Sequence, residues 1–150
     1  MAASNVVIRP LRAGERAEWE PLWKGYQAFY KVVISDETTA VTWARLHDPT
    51  EPMHVLGGYM AGRLCGIVHY LFHRSCWTVG DYCYLQDLFV AEAARNLGLG
   101  RALVNAVEDR ARTAGASRVY WLTHESNAGA RALYERLAER SGFIQYRKLF

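Results

Sequence analysis

The chain has 150 residues, of which 51% are hydrophobic and 13% aromatic, and it carries a formal net charge of +3. This length and apolar content predict one domain, residues 1–150, with a sizeable core, and they exclude a disordered chain. No apolar run is long enough to cross a bilayer, so we expect no membrane partner. The positive charge is not gathered into a dense basic stripe, so we expect no nucleic-acid partner either.

The three cysteines, Cys65, Cys76 and Cys83, indicate a reducing compartment. Their odd number argues against a disulfide framework, and neither they nor the five histidines have the spacing of a metal site. We therefore expect reduced, mostly buried cysteines, a cytoplasmic protein and no bound metal.

The first half of the chain predicts a strand, two helices and a hairpin. Val6–Ile8 is a short strand, and aromatic and apolar residues at helical spacing then predict an amphipathic helix: Trp19, Leu22, Trp23, Tyr26, Phe29 and Tyr30. A second helix is expected to start at Asp36 and to end before Pro49. Met53–Met60 and Leu64–Phe72 have the composition of strands joined by a tight turn.

The second half predicts strand, helix, strand, helix and strand. The expected bounds, in chain order, are a strand at Tyr82–Val90, a helix at Ala102–Ala114 closed by Gly115, a strand at Arg118–Thr123, a helix capped by Ser126 or Asn127, and a final strand at Phe143–Phe150. Strands and helices in this order are typical of an α/β domain with a mixed sheet.

A glycine-bearing loop lies between the strand at 82–90 and the helix that follows it. The first N–H groups of a helix have no internal partner and carry the positive end of its dipole, so Gly98 and Gly100 would let a phosphate approach them. Arg95 and Arg101 add positive charge. The loop lacks the lysine of a Walker loop and the third glycine of a dinucleotide fingerprint. A turn without a ligand remains the alternative on the glycines alone.

The same loop, Arg95-Asn96-Leu97-Gly98-Leu99-Gly100, resembles the acyl-CoA loop of the GCN5-related N-acetyltransferase (GNAT) superfamily. The strand Tyr84-Leu85-Gln86-Asp87-Leu88-Phe89-Val90 resembles the fourth strand of that family, and Asn127-Ala128-Gly129-Ala130-Arg131-Ala132-Leu133-Tyr134 resembles its Asn-x-x-Ala-x-x-Leu-Tyr element. Residues 119–127 are most similar to the subgroup around the yeast histone and polyamine acetyltransferases. The resemblance implies a single domain with a mixed, mostly antiparallel sheet flanked by helices on both faces.

The resemblance also implies acetyl-CoA as co-substrate and a set of residues that hold it. These are the backbone of Leu88, Phe89 and Val90, the loop and first helical turn at Arg95, Asn96, Leu97, Gly98, Leu99, Gly100 and Arg101, and the side chains of Asn127 and Arg131. Asn127 is alternatively a helix cap, and Arg131 alternatively a solvated arginine.

Tyr134 is expected, from the resemblance, to protonate the departing CoA sulfur, although its helix face would equally suit a core residue. Gln86 departs from the glutamate typical of the polyamine enzymes, and glutamine cannot take a proton. Asp87 should face the other side of the strand. His124, at the end of the following predicted strand, is the remaining candidate base, because the unperturbed pKa of histidine is near neutral. A loop histidine without a catalytic role is the alternative.

In the fold that the resemblance implies, the first two helices border the groove for the amine acceptor. The four aromatic residues Trp19, Trp23, Tyr26 and Tyr30 are expected to be mostly core, with one or two of them lining this groove. We assign Tyr30 with Gln86, Asp87 and Asp36 to substrate binding, and a solvated loop is the alternative for Asp36. The chain is thus predicted to be an N-acetyltransferase for a primary amine, such as a polyamine or a lysine-like amine, and a homodimer. The alternatives are another acyl-CoA as donor, or a catalytically silent acyl-CoA-binding module.

Overall fold

The computed structural model describes residues 5–150. Its strands are β1 (Val6–Pro10), β2 (Met53–Met60), β3 (Arg63–His73), β4 (Tyr82–Val90) and β5 (Arg118–Tyr120), and its α-helices are α1 (Arg16–Phe29), α2 (Asp36–Leu46), α3 (Leu99–Thr113) and α4 (Ala128–Leu137).

The strands form one five-stranded sheet in the order β1-β2-β3-β4-β5. All neighbouring pairs are antiparallel except β4 and β5, which run parallel. The predicted tight turn joins β2 to β3, with positive φ at both Ala61 (51°) and Gly62 (75°), the backbone that matches the twist of a hairpin. The prediction of a mixed, mostly antiparallel sheet is confirmed.

Helices cover both faces of the sheet, as expected. On one face, α1 and α2 bury Trp19, Trp23 and Trp43 against strand residues that include Val55 and Ile67. On the other face, α3 buries one apolar stripe, Leu99, Leu103 and Val107, against β2, β3 and β4. Apolar side chains at this helical spacing are removed from water only when the helix lies on the sheet, so they fix its position.

Helix α1 packs closely on β4 at Gly25. A Cβ at Gly25 would come within 2.8 Å of the Phe89 ring, so a side chain here would force the ring to move. Glycine allows this approach without that movement, which places the C-terminal half of α1 beside the end of β4.

Several boundaries differ from the sequence expectations. Strand β1 ends at Pro10 rather than Ile8, helix α3 begins at Leu99, one turn before the predicted Ala102, and β5 ends at Tyr120 rather than Thr123. Helix α2 begins at Asp36, and its cap is Ser35, whose hydroxyl accepts a hydrogen bond from the Thr38 N–H at 3.1 Å. These shifts arise because caps and strand ends are decided by local hydrogen bonds that residue patterns do not resolve.

The predicted final strand, Phe143–Phe150, is wrong: the structure has no strand there, and five large apolar side chains of this segment are exposed, namely Phe143, Ile144, Tyr146, Leu149 and Phe150. A strand needs hydrogen bonds from a neighbouring strand, and this segment pairs with none of the five strands, although β1, β5 and part of β4 have unpaired edges.

The cysteine prediction holds only in part. All three are free thiols, but Cys83 is buried, Cys65 is half-buried and Cys76 is exposed in the loop between β3 and β4. No helix within residues 5–150 has the length and apolar character to cross a membrane.

Candidate functional site

One edge of β4 is open over most of its length. β5 pairs with β4 only from Tyr82 to Tyr84, so from Leu85 to Val90 this edge has no strand partner within residues 5–150. A strand directs N–H and C=O groups to both of its sides, and an unpaired edge offers them to an extended ligand. The predicted cofactor segment, Leu88 to Val90, lies on this open edge.

The loop after β4 ends in a helix N-terminus with free N–H groups. Asn96 and Gly98 have positive φ angles of 64° and 84°. The first hydrogen bond of α3 runs from the Ala102 N–H to the Gly98 carbonyl at 3.0 Å. The N–H groups of residues 99–101 therefore precede the helical ladder and are available to an anion. A Cβ at Gly98 would meet nothing within 4 Å, so the space in front of this turn is open.

The side chains of this loop have separate roles. The Arg95 Nε–H donates to the Val90 carbonyl at 3.0 Å, which fastens the loop to the end of β4. Arg101 and Leu97 are exposed, whereas Leu99 is only 1% exposed and belongs to the core. Leu99 can therefore serve a ligand through its backbone N–H alone.

Helix α4 and the end of β4 lie on two sides of Gly100. A Cβ at Gly100 would be in contact with both, 3.7 Å from Leu133 of α4 and 4.0 Å from Val90 of β4. We call the space between α4 and the open edge of β4 the groove, and a side chain at Gly100 would fill part of it.

Tyr134 follows Leu133 on α4. Its half-buried ring lies edge-on to Trp121, with centroids 5.4 Å apart. Burial, with a smaller contribution from Tyr30, raises the pKa of the Tyr134 hydroxyl to about 12. The hydroxyl is therefore protonated at neutral pH and able to donate a proton.

The first cleft, of about 370 Å³, lies where the end of α1 meets the start of α4, and its lining includes Phe29, Tyr30, Lys31, His124, Ser126, Asn127 and Ala128. The Tyr30 and His124 rings are 5.7 Å apart, and His124 is exposed. Asn127 caps α4, since its Oδ1 accepts from the Ala130 N–H at 3.4 Å. The structure thus brings together Tyr30, His124 and Asn127, which were predicted separately.

Arg131 is engaged within the protein. Its Nη1 donates to the Glu125 carbonyl at 2.7 Å, and its Nε lies 3.4 Å from the Glu135 carboxylate. In this arrangement it holds the loop before α4, and its contact with a CoA phosphate stays a prediction.

The second cleft, of about 340 Å³, lies between α1, α2 and the sheet, and we call it the α1–α2 cleft. Its lining includes Trp23, Tyr26, Ile34, Thr38, Thr42, Leu46, Met53, His69, Leu71, Gln86 and Asp87. Two of the four aromatic residues named for the groove, Trp23 and Tyr26, line this cleft, whereas Tyr30 lines the first cleft. The Tyr26 and Tyr30 rings are 4.8 Å apart, so the two clefts adjoin each other.

The expectation that Asp87 faces away from Gln86 is wrong, because both line the α1–α2 cleft. β3 residues His69 and Tyr70 pair with Asp87 and Leu85, so the register skips Gln86. A β-bulge of this kind leaves one residue unpaired and breaks the alternation of faces.

A buried chain of hydrogen bonds holds Asp87. The Trp19 indole N–H donates to His69 Nε2 at 3.0 Å, and His69 Nδ1 lies 3.0 Å from Asp87 Oδ2. Because an indole nitrogen only donates, Nε2 must accept, and the proton of a neutral His69 is on Nδ1, where it is donated to Asp87. Burial, together with the neighbouring Asp87, raises the pKa of Tyr26, so its hydroxyl also faces Asp87 in the protonated form.

Asp36 is not part of either cleft. It is the first residue of α2, its side chain is 97% exposed, and its carboxylate lies 3.5 Å from the Lys24 ammonium. The structure gives no support to its predicted role in substrate binding.

Sequence reasoning missed His69. It was considered only as a metal ligand and rejected on spacing, and its contact with Asp87 depends on strand register and a bulge that no local pattern reveals. Within residues 5–150 there is no group of three or more His, Cys, Asp or Glu side chains arranged to hold a metal ion.

The comparisons with known proteins agree on one kind of protein. The sequence model of the family described as "Acetyltransferase (GNAT) family" matches residues 19–138. The chain is 35% identical over 153 aligned residues to the D-amino-acid N-acetyltransferase HPA3 of Saccharomyces cerevisiae, a match that covers 99% of this chain and 93% of that protein.

Two solved structures share its fold. The ribosomal-protein-alanine N-acetyltransferase of Brucella melitensis biovar Abortus 2308 matches with a TM-score of 0.78 at 23% identity, over 97% of this chain and 99% of that one. The aminoglycoside N-acetyltransferase AAC(6')-Iy in complex with CoA matches with a TM-score of 0.80 at 17% identity, over 95% and 94% of the two chains.

Proposed function

This chain belongs to the acetyltransferase (GNAT) family and is an acetyl-CoA-dependent acyltransferase, and we propose that it transfers the acetyl group to a primary amine of a small molecule. The observation that carries the proposal is the open edge of β4 leading into the free N–H groups of α3. One line of donors thus runs from a site for an extended chain to a site for an anion, which is the shape of pantetheine joined to a pyrophosphate.

The residues present fit acetyl-CoA. The backbone of Leu88 to Val90 would bind the pantetheine amides along the open edge. The turn at 95–101 would bind the pyrophosphate with free N–H groups, and the exposed Arg101 would add charge. Asn127 would border the groove from the start of α4. This arrangement leaves the thioester between β4 and the Tyr134 side of α4.

The proposed reaction is direct attack. A neutral amine nitrogen forms a bond to the thioester carbon, and the carbon–sulfur bond then breaks. Tyr134 gives its proton to the leaving sulfur, and the proton lost by the new amide nitrogen restores the phenol. The high pKa of Tyr134 suits this relay, because a tyrosinate formed in the step regains a proton readily.

The amine must lose one proton before it attacks, because an ammonium has no lone pair. Gln86 cannot accept this proton. His124 is exposed in the cleft beside Tyr30, and we assign to it the removal of the proton, directly or through water.

Two observations favour a small acceptor. Both clefts are near the lower end of the range of about 300–1,000 Å³ that is usual for small-molecule sites. HPA3, a relative over nearly the whole chain, is described as acting on D-amino acids. A homodimer, through the exposed apolar C-terminal segment, and a cytoplasmic location stay predictions, and light scattering would test the first.

The experiment is thiol release from acetyl-CoA across a panel of primary amines, with product mass confirming the acetylated amine. We expect release that depends on the amine and is faster with acetyl-CoA than with longer acyl-CoAs. Binding of acetyl-CoA without amine-dependent release for any member of the panel would contradict the proposal.

A further inference from the structure

The α1–α2 cleft has one charged side chain. Of its lining residues only Asp87 carries a charge, and none is lysine or arginine. The chain from Trp19 through His69 fixes His69 as a neutral donor, so it does not cancel the Asp87 charge. The cleft therefore carries a single negative charge.

Asp87 has room for one more partner. Its side chain is 12% exposed, and Oδ2 accepts from His69. A carboxylate has about four lone-pair sites, so Oδ1 remains able to accept from a ligand even with the Tyr26 hydroxyl nearby. The pair of donors orients the carboxylate, and an ordered carboxylate binds an ammonium strongly.

The rest of the cleft is apolar or neutral. Ile34, Leu46, Met53 and Leu71 supply aliphatic surface, and the Trp23 and Tyr26 rings stack with centroids 5.2 Å apart. Such walls favour the methylene or ring portion of a ligand, and the aromatic faces also attract a cation near Asp87.

Building on the proposed function, we propose that the amine acceptor carries one positive charge and a compact apolar body. It binds in the α1–α2 cleft as an ammonium beside Asp87, with its body against the aliphatic and aromatic walls, and its nitrogen attacks only after it has given up a proton to His124 or to water. A polyamine is a poor match. Its second ammonium would lie among side chains that offer it no carboxylate, and burying an unpaired charge is costly. Gln86, at the bulge, provides a neutral amide where a carboxylate would be needed for that second charge.

The test compares pentylamine with cadaverine, which share a five-carbon chain and differ by one ammonium, and with ethylamine, which lacks most of the apolar body. We expect kcat/KM for pentylamine to exceed that for each of the others by about tenfold or more. Equal values, or a preference for cadaverine, would overturn the inference. If none of these amines nor any other amine is acetylated, the proposed function itself fails, so the two failures are distinct.

Two variants and a control test whether Asp87 and Gln86 determine the preference for an acceptor with one charge. Asp87→Asn keeps the shape and removes the charge, and we expect it to raise KM for pentylamine about tenfold or more without changing the affinity for acetyl-CoA. Asp109→Asn removes an exposed carboxylate of α3, on the other face of the sheet, and serves as the matched control. Gln86→Glu should reduce the ratio of kcat/KM for pentylamine to kcat/KM for cadaverine. An Asp87→Asn effect no larger than that of Asp109→Asn would overturn the assignment, and the wild-type comparison stands even if a variant folds poorly.

Discussion

His69 and Asp87 lie opposite each other on β3 and β4, with Nδ1 and Oδ2 3.0 Å apart. Because Trp19 occupies the other ring nitrogen, this contact is a hydrogen bond from a neutral imidazole to a carboxylate. The His69 residue is only 3% exposed, and Asp87 is partly exposed. Both line the α1–α2 cleft. The interior thus orients a carboxylate that the cleft presents to its ligand.

The first prediction concerns this orientation. His69→Leu removes the donor, and we expect KM for the amine to rise several-fold, because Asp87 then has more freedom. His69→Gln retains an N–H donor and should recover most of the loss. Steady-state kinetics at saturating acetyl-CoA measures the effect, and calorimetric titration of acetyl-CoA should give the wild-type affinity in both variants. Equal KM values in the Leu and Gln variants would mean that His69 is only a packing residue.

The second prediction concerns Gly100. Alanine is favoured over glycine in a helix by about 0.5–1 kcal/mol, so Gly100→Ala should leave the melting temperature unchanged or slightly raised. Its methyl group would nevertheless lie between Val90 and Leu133, in the groove. We expect the affinity for acetyl-CoA, measured by calorimetry, to fall about tenfold. Gly14→Ala, whose methyl group meets nothing within 4 Å, is the control. An unchanged affinity in Gly100→Ala would place the cofactor elsewhere.

The glycine loop and the bulge at Gln86 show what the sequence can and cannot predict. The loop and the glycines were predictable, because a strand, a glycine turn and a helix are encoded by local residue choice. The bulge at Gln86 was not predictable, because it arises from the pairing of β3 with β4. As a result of the bulge, Asp87 and Gln86 both line the α1–α2 cleft. The prediction of a strand at 143–150 was wrong for a related reason. The apolar composition of this segment suits a strand, but a strand forms only where the segment docks against a sheet edge, and local composition does not specify that docking.

The third prediction concerns acid stability. The Arg9 guanidinium lies 2.9 Å from the Glu15 carboxylate, which also accepts from the Tyr59 hydroxyl at 2.9 Å. The hydrogen bond from Arg9, more than any other contact, lowers the pKa of Glu15 from 4.5 to about 2. The unfolded chain therefore takes up a proton first as pH falls. The stabilisation by Glu15 is present above about pH 4.5 and is lost progressively towards pH 2.

Urea unfolding at several pH values tests this point. Glu15→Gln should be less stable than the wild type at pH 7 and should lose less stability between pH 4.5 and 2. Glu37→Gln, which removes an exposed carboxylate from the first turn of α2, should follow the wild-type slope. If Glu15→Gln also keeps the wild-type slope, the ion pair does not contribute to the pH dependence.

The fourth prediction concerns the proton of the amine. With a pKa near 10.4, a lysine-like amine is neutral in only about one molecule in 2,500 at pH 7. If His124 removes the proton, the pH profile of kcat/KM should show an inflection in the wild type that disappears in His124→Ala. Profiles that climb identically in both proteins towards the pKa of the amine would show that no dedicated base acts.

The most direct test of the whole account is the single-turnover rate of acetyl transfer to the best acceptor in Tyr134→Phe. A single turnover isolates chemistry from product release, and the retained ring should leave acetyl-CoA affinity unchanged. We predict a rate about 10²-fold below wild type, the usual scale for losing a proton donor, while Tyr146→Phe, which removes an exposed phenol, keeps the wild-type rate. A Tyr134→Phe enzyme that transfers acetyl at the wild-type rate would contradict the account and make Tyr134 a packing residue of α4.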